Sequence, residues 1–449
     1  MSFSPSAIAE VLARHPSTGT CWVALSGGLD SVVLLHSLAT LGLARPLKAV
    51  HVNHQLSPQA DRWQAFCARL CESLGVAFEA RRVAVVPAGR GLEDAARQAR
   101  YQAFEACVEP GDLLCSAHHC DDQVETMLLR LMRGTGPRGL GGMAEARPLG
   151  EGLLVRPLLA FERASLEAYA TEQDLSWVED ESNANTDFDR NFLRHQVLPQ
   201  LALRWPGFGQ RWQRTAELCR DADQLTETLA AEDLAAAGDR EERLGQSLAL
   251  AELQALTRPR RQQLLRLWLA RQGAPLPALA QFEQIERQLI QPRSDSGATV
   301  RWGEISLRHF RGRLFLLPQL PDLAAPPTPI DWDGRLALAL PSGGRLTAEV
   351  VRDGGLMADA PLLRPCESLH VRWREGGERC RPCGRAHSQT LKKLLSGYPL
   401  EPWLRPCVPL LYSAGALVAV GDLWVCEGFQ AAAGEPGLRL HWQANASGA

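Results

Sequence analysis

Long apolar runs are missing from this sequence of 449 residues. No stretch approaches the roughly 20 uninterrupted apolar residues that a bilayer demands, which excludes a membrane-spanning helix. A secretory leader is missing as well. Residues 1–15 are a short amphipathic stretch containing Glu10, without a basic start or a long apolar core, so a cytoplasmic protein is expected. Nor is there an excess of positive charge. A formal net charge of -3 argues against a uniformly basic nucleic-acid binder, while leaving room for local gatherings of Arg and Lys that meet phosphate. No internal repeat is visible. Cysteine is plentiful at twelve, but in a large chain without an export signal these are expected to be reduced thiols, buried as small apolar groups.

A hydrophobic fraction of 45% with 22% charged residues is ordinary for a globular protein and excludes disordered and fibrous classes. The length exceeds one ordinary core and implies about two to four domains. Three are expected, over 1–205, 206–325 and 326–449. From 20 to 132, apolar runs alternate with amphipathic stretches, the pattern of a parallel sheet with crossover helices. Strands are predicted over 21–25, 47–52, 76–86 and 113–117, with helices over 31–41, 61–74, 92–107 and 121–132. The fold class is therefore α/β, a doubly wound parallel sheet that binds ligands at the carboxyl ends of its strands. Helical periodicity then dominates 162–173, 190–203 and 211–290, predicting a mainly helical middle domain. Strands follow over 299–307 and 311–317. Residues 318–329, rich in Pro and Ala, read as a linker. The last part, about 365–445, reads as a small mixed α/β unit with one basic helix.

The strongest local signal is Ser26-Gly27-Gly28-Leu29-Asp30-Ser31, placed directly after a predicted strand and directly before a helix. Adjacent glycines let the backbone approach a ligand closely, and amides at a helix N-terminus form an anion site. This is neither the G-x-x-x-x-G-K-[ST] loop nor G-x-G-x-x-G. A tight turn with a capping side chain has the same composition. The six residues resemble the SGGxDS loop of the N-type ATP pyrophosphatases. That resemblance implies that Ser26, Gly27, Gly28, Leu29 and Ser31 hold the pyrophosphate part of ATP, and that Asp30 helps to place Mg²⁺.

Four further segments resemble one branch of that family, the tRNA lysidine synthetases. They are His51-Val52-Asn53-His54-Gln55-Leu56-Ser57; Glu93-Asp94-Ala95-Ala96-Arg97-Gln98-Ala99-Arg100-Tyr101; His118-His119-Cys120-Asp121-Asp122-Gln123-Val124-Glu125-Thr126 with the loop Arg133-Gly134-Thr135-Gly136; and Asp180-Glu181-Ser182-Asn183 followed by Asp189-Arg190-Asn191-Phe192-Leu193-Arg194. Taken singly they are less specific. Glu93, Arg97 and Arg100 share a helical face, as a surface ladder of ion pairs would. Paired His and clustered carboxylates suggest a metal, yet H-E-x-x-H is absent, and carboxylates at a helix start also answer the helix dipole. The resemblance implies that Asp122 and Glu125 bind the amino acid and its ammonium group, that Asp121 assists Asp30 at Mg²⁺, and that Arg97 and Arg190 hold phosphate oxygens or the nucleotide.

A fifth likeness lies near the end, in Trp373-Arg374-Glu375-Gly376-Gly377-Glu378-Arg379, Leu391-Lys392-Lys393-Leu394-Leu395 and Pro402-Trp403-Leu404-Arg405. It resembles the terminal domain of the long proteobacterial members. The basic residues gathered there point to a phosphate-binding face. Cys380-x-x-Cys383 is only half of a zinc ribbon, and thiols without metal are expected. Thiolating enzymes of the same fold generally carry paired cysteines beside the active loop. No C-x-x-C occurs between residues 22 and 200.

The family's activity is thus the expected one. ATP adenylates the wobble cytidine of a tRNA(Ile) with a CAU anticodon, and L-lysine then displaces AMP to give lysidine. The codon read changes from AUG to AUA. The residues set no oligomeric state.

Overall fold

The computed structural model describes residues 3–85, 92–181, 185–291, 298–318, 328–341, 343–351, 361–432 and 434–444. Its contacts divide the chain into two compact units, Met1–Leu225 and Thr226–Ala449. No helix among the described residues is long and apolar enough to cross a membrane.

The first unit opens with α1 (Pro5–Ala13) and continues β1 (Cys21–Ala24), α2 (Leu29–Thr40), β2 (Leu47–Asn53), α3 (Ala60–Ser73), β3 (Ala77–Arg82), α4 (Leu92–Glu105), β4 (Leu113–Cys115) and α5 (Cys120–Met132). After these come α6 (Pro137–Leu140), β5 (Ala146–Leu149), β6 (Gly152–Val155), α7 (Arg163–Glu172), α8 (Asp189–Phe192), a π-helical turn (Leu193–Val197), α9 (Leu198–Arg204) and α10 (Phe208–Ala236), which runs past the end of the unit. The strands form one sheet in the order β3-β2-β1-β4-β6-β5, all parallel except β5. This is the doubly wound sheet the alternating pattern predicted. Every predicted strand and helix of the first 132 residues is present, with ends differing by a few residues. β3 is the most shortened.

The strand order reverses direction at β1. Cys21 pairs with Leu47 of β2 on one side and with Leu113 of β4 on the other. The crevice at such a switch point lies beyond the carboxyl ends of β1 and β4. The glycine loop leaves β1 there, and the two histidines leave β4. Beneath them, β1 and β4 are buried, and α2 buries Leu29, Val32, Val33, Leu34, Leu35 and Leu38. A helix apolar on this many sides belongs inside the domain rather than on its surface. It gives the loop above it a rigid base.

The second unit contains β7 (Arg240–Glu241), β8 (Gln246–Ala249), α11 (Leu250–Ala255), α12 (Arg258–Arg271), α13 (Leu279–Ile285), β9 (Thr299–Trp302), β10 (Ile305–Phe310) and β11 (Arg313–Pro318). Inside the stretch that periodicity marks as helical, β7 and β8 join β9 to β11 in an antiparallel sheet ordered β7-β8-β11-β10-β9. They escape a helical pattern because β8 has only four residues, with Ser247 and Leu248 both fully buried. So short a run shows no alternation. Residues 319–327 of the expected linker lie outside the described ones.

The remaining elements are β12 (Ile330–Trp332), β13 (Leu338–Ala339), β14 (Arg345–Val351), β15 (Leu369–Arg372), β16 (Arg379–Cys380), β17 (Gln389–Thr390), α14 (Leu391–Gly397), β18 (Leu410–Ser413), β19 (Ala416–Val420), β20 (Trp424–Val425) and β21 (Gly437–Gln443). They make antiparallel sheets around a core that includes Val371, Leu395, Leu411, Val418 and Trp442. β21 pairs along its whole length with β14, from Arg345 opposite Gln443 to Val351 opposite Gly437. The basic helix is α14, which buries Leu391, Leu394 and Leu395 and exposes Lys392 and Lys393. Arg372, Arg379, Arg381 and Arg385 are exposed, and Arg374 and Arg405 half-buried. The twelve thiols are free, and all but Cys219, Cys366 and Cys383 are buried.

Candidate active site

The glycine loop is held by its own last residue. Ser31 Oγ accepts the amides of Ser26 at 3.2 Å and Gly27 at 3.1 Å, and donates to Gly28 O at 2.9 Å. Gly27 has φ +90, a conformation that favours glycine. A Cβ there would stand 2.9 Å from Val178 Cγ2, and Gly27 O accepts the Val178 amide at 2.9 Å. Gly28 is the N-cap of α2, and no side chain caps that first turn. Its amides are left for an anion. The element His51–Ser57 supports the loop from beside it. His51 Nδ1 lies 2.8 Å from Leu25 O, and Asn53 donates to Asp61 and Gln64 of α3.

Three carboxylates of the sequence patterns converge on one imidazole. His119 is 1% exposed, with Nδ1 3.3 Å from Asp121 Oδ2, and Nε2 3.4 Å from Asp122 Oδ2 and 3.7 Å from Asp30 Oδ2. Burial opposes its charge, but Asp122, Asp121 and Asp30 outweigh that and push its pKa up to about 9. It is an imidazolium at neutral pH. Asp122 Oδ2 also accepts the His119 amide at 3.0 Å, and Asp121 Oδ2 accepts the Arg163 amide at 2.8 Å. Burial raises the pKa of Asp30, and its Oδ1 is enclosed without a hydrogen-bond partner. An orphaned carboxylate oxygen of this kind suits a cation. Among the described residues, no three His, Cys, Asp or Glu side chains gather with the spacing of a metal cage.

The neighbouring His118 behaves oppositely. Burial pulls its pKa down to about 4, and Arg156, Arg190 and Arg97 add to that effect against Asp122. It is neutral, with Nδ1 3.0 Å from Ser116 Oγ.

One helical turn beyond Asp122, Glu125 is fully buried. Burial raises its pKa, opposed by Arg194. Arg194 donates Nε to Glu125 Oε1 at 2.8 Å and Nη2 to Oε2 at 3.1 Å, and reaches Asp122 Oδ1 at 3.1 Å. Arg190 donates to Thr126 Oγ1 at 3.1 Å and stands 3.9 Å from Glu125 Oε2.

Of the residues singled out in the sequence, Asp30, Asp121 and Asp122 meet at His119, while Asp122, Glu125 and Arg190 meet around Arg194. Arg97 touches neither group. It is exposed on α4, its guanidinium 5.6 Å from the Tyr101 ring centroid. Ser182 and Asn183 lie outside the described residues, as does the side chain of Glu93. Sequence reasoning assigned no role to His119 or Arg194. Both stood inside quoted motifs, and Arg194 follows Arg190 by four residues, so the helical spacing was the available signal.

Comparison with known proteins agrees with this geometry. The PP-loop domain family matches residues 5–201, the TilS substrate binding domain matches 248–315, and the TilS substrate C-terminal domain matches 369–442. The tRNA(Ile)-lysidine synthase of Alkalilimnicola ehrlichii is 42% identical over 452 residues, covering 98% of each chain. The one from Coxiella burnetii is 37% identical over 445 residues, covering 98% of this chain and 97% of its own. That of Serratia proteamaculans is 40% identical over 424 residues, covering 94% and 95%. With likeness running from end to end and a glycine loop facing a carboxylate cluster across the switch point of the sheet, the chain belongs to the tRNA(Ile)-lysidine synthase family.

Proposed function

We propose that this chain uses ATP to adenylate the wobble cytidine of a tRNA(Ile) with a CAU anticodon, and then joins L-lysine to that base as lysidine. In the first step, O2 of the cytosine attacks the α-phosphorus of ATP and pyrophosphate leaves. In the second, the ε-amine of lysine attacks C2 and AMP leaves. The cytosine C2 is a poor electrophile, and the adenylyl group supplies the missing leaving group.

The observation that carries this reading is the pairing, across one crevice, of an anion-binding loop with a buried carboxylate pair. Amides at the start of α2 suit the pyrophosphate. Mg²⁺, when bound, neutralises charge on the departing pyrophosphate, and the orphaned oxygen of Asp30 together with Asp121 suits it. Magnesium characteristically shares one or two carboxylates with phosphate rather than filling a protein cage. Asp122 and Glu125 offer oxygens to the lysine ammonium. A lysine amine must lose a proton before it attacks, its ordinary pKa being about 10.4. Glu125, whose pKa is raised by burial, is the better acceptor of the two. Arg190 and Arg194 balance these carboxylates, and Arg190 is the arginine of the sequence patterns that stands beside them to meet the nucleotide.

The test is pyrophosphate release with unmodified tRNA(Ile), with and without lysine. Release followed by lysine-dependent AMP formation and lysidine in the digested RNA is expected. Turnover with a sulfur donor in place of lysine would make the chain a thiolating enzyme. No release with any donor would make it an RNA-binding module.

A further inference from the structure

A second charged cluster lies along the same edge of the sheet, and the reaction described above leaves it largely unused. Its centre is Tyr101 of α4. Arg97, one turn earlier on that helix, places its guanidinium 5.6 Å from the ring centroid, and Arg147 of β5 places its own at 4.9 Å. Arg156, the residue directly after β6, is only 4% exposed. It donates to Ala144 O at 2.6 Å, while its Nε is enclosed without a hydrogen-bond partner. Arg130 of α5 donates to Gly139 O and Gly142 O from the same neighbourhood, and Arg97 helps burial to lower its pKa.

Among the described residues, no carboxylate lies in ion-pair contact with Arg97, Arg130, Arg147 or Arg156. Guanidinium groups remain charged at any working pH, so gathering several without a counter-charge is costly unless an anion completes the site. Burial lowers the pKa of Arg156 against the opposing pull of Tyr101, with Arg147 and Arg97 adding to the lowering, and the arginines draw the Tyr101 phenol below its ordinary value against burial.

The cluster borders the reaction site. Cys115 of β4 pairs with Val155 of β6, and Ser116 N–H bonds Val155 O at 2.9 Å, which sets Arg156 beside the segment carrying His118. The glycine loop leaves β1, on the far side of β4. Strands stand about 4.8 Å apart, so Arg156 is roughly 10 Å across the sheet from the loop's strand, and Arg147 lies one strand further. An anion held there is separate from one held at the loop. Arginines around an aromatic ring also fit single-stranded nucleic acid, whose phosphates and bases they meet together.

We infer that Arg97, Arg147 and Arg156, gathered about Tyr101, bind a backbone phosphodiester of the RNA next to the nucleotide that is adenylated. This rests on the reading that the substrate is an RNA base. A phosphate of ATP has the same chemistry, and the experiment separates the two sources.

Full-length wild type, Arg147→Ala and Arg97→Ala are titrated with ATP and with a synthetic anticodon stem–loop, unmodified or carrying one neutral methylphosphonate linkage at each loop position in turn. Thermal midpoints establish that each variant is folded, and the two variants give independent readings should one of them not be. Each variant is expected to bind the RNA about tenfold more weakly, with the slope of log affinity against log salt flatter by about 0.7, while ATP affinity stays within about twofold. A neutral linkage beside the target cytidine should cost wild type about tenfold and cost the variants nothing more. Weakened ATP binding with unchanged RNA binding would overturn the inference in favour of an ATP site. Equal sensitivity of wild type and variants to every neutral linkage would reduce the cluster to packing. Lysidine formation by wild type is scored on the same RNA. Its absence would overturn the proposed function while leaving a linkage-specific loss of binding to stand for the phosphate site.

Discussion

Arg194 grips Glu125 with two hydrogen bonds, 2.8 and 3.1 Å long, although the two residues are 69 positions apart in the chain. A fully buried carboxylate stays ionised only if such a partner is present. Removing the partner as Arg194→Ala should destabilise the first unit by about 3–5 kcal/mol and raise the Glu125 pKa further. Glu125→Gln should lose lysine-dependent AMP release while keeping some adenylation. Chemical denaturation and separate assays of the two steps check both. Equal loss of the two steps in Glu125→Gln would assign Glu125 to ATP instead.

Asp30→Asn keeps the shape of the side chain and removes its charge. We expect tRNA-dependent AMP formation to fall by about 10²-fold or more, with unchanged circular dichroism. Turnover near that of wild type would sink the role given to Asp30.

Gly27→Ala tests the loop through its backbone. The added methyl meets Val178 Cγ2 at 2.9 Å and Cys67 Sγ at 3.0 Å, at a φ of +90. A stability loss of about 1–3 kcal/mol and weakened ATP binding are expected, the former read by thermal unfolding and the latter by calorimetry.

Stability should pass through a maximum near pH 6.5. His118 and His54 have folded pKa values of about 4, both lowered chiefly by burial, against an ordinary 6.5. Their contribution is complete above 6.5 and is lost as pH falls toward 4. His119 has a folded pKa raised to about 9, so its contribution is complete below 6.5 and is lost as pH rises through 9. Denaturation midpoints across pH 4–10 measure both limbs. His119→Gln should flatten the alkaline limb and leave the acid limb in place.

The exposed lysines of α14 test the terminal unit. Reversing their charge as Lys392→Glu with Lys393→Glu should raise the KM for tRNA about tenfold, flatten the salt dependence of binding, and leave the KM for ATP unchanged. Unaltered tRNA binding at low and moderate salt would make this basic cluster plain surface.

The doubly wound sheet was legible in the sequence because burying a parallel strand on both faces writes a continuous apolar run, and its crossover helix writes a different period. The glycine loop was legible for a related reason. Phosphate binding by backbone amides needs glycine at one fixed place between strand and helix, as Gly27 shows by its positive φ. The family followed from several such patterns in order. Short strands such as β8 were not legible, since four residues with two adjacent buried positions, Ser247 and Leu248, carry no period.

Only the tertiary structure decided how the charged residues are shared out. Spacing placed Asp121, Asp122 and Glu125 on one helix, but it could not show that His119 sits among three carboxylates, one of them from α2. Nor could it show that Arg194, in a π-helical turn, takes Glu125 and Asp122 while Arg190 takes Thr126. Those partners come from distant parts of the chain, and the distance between two side chains is set by how the elements pack, which no local pattern records.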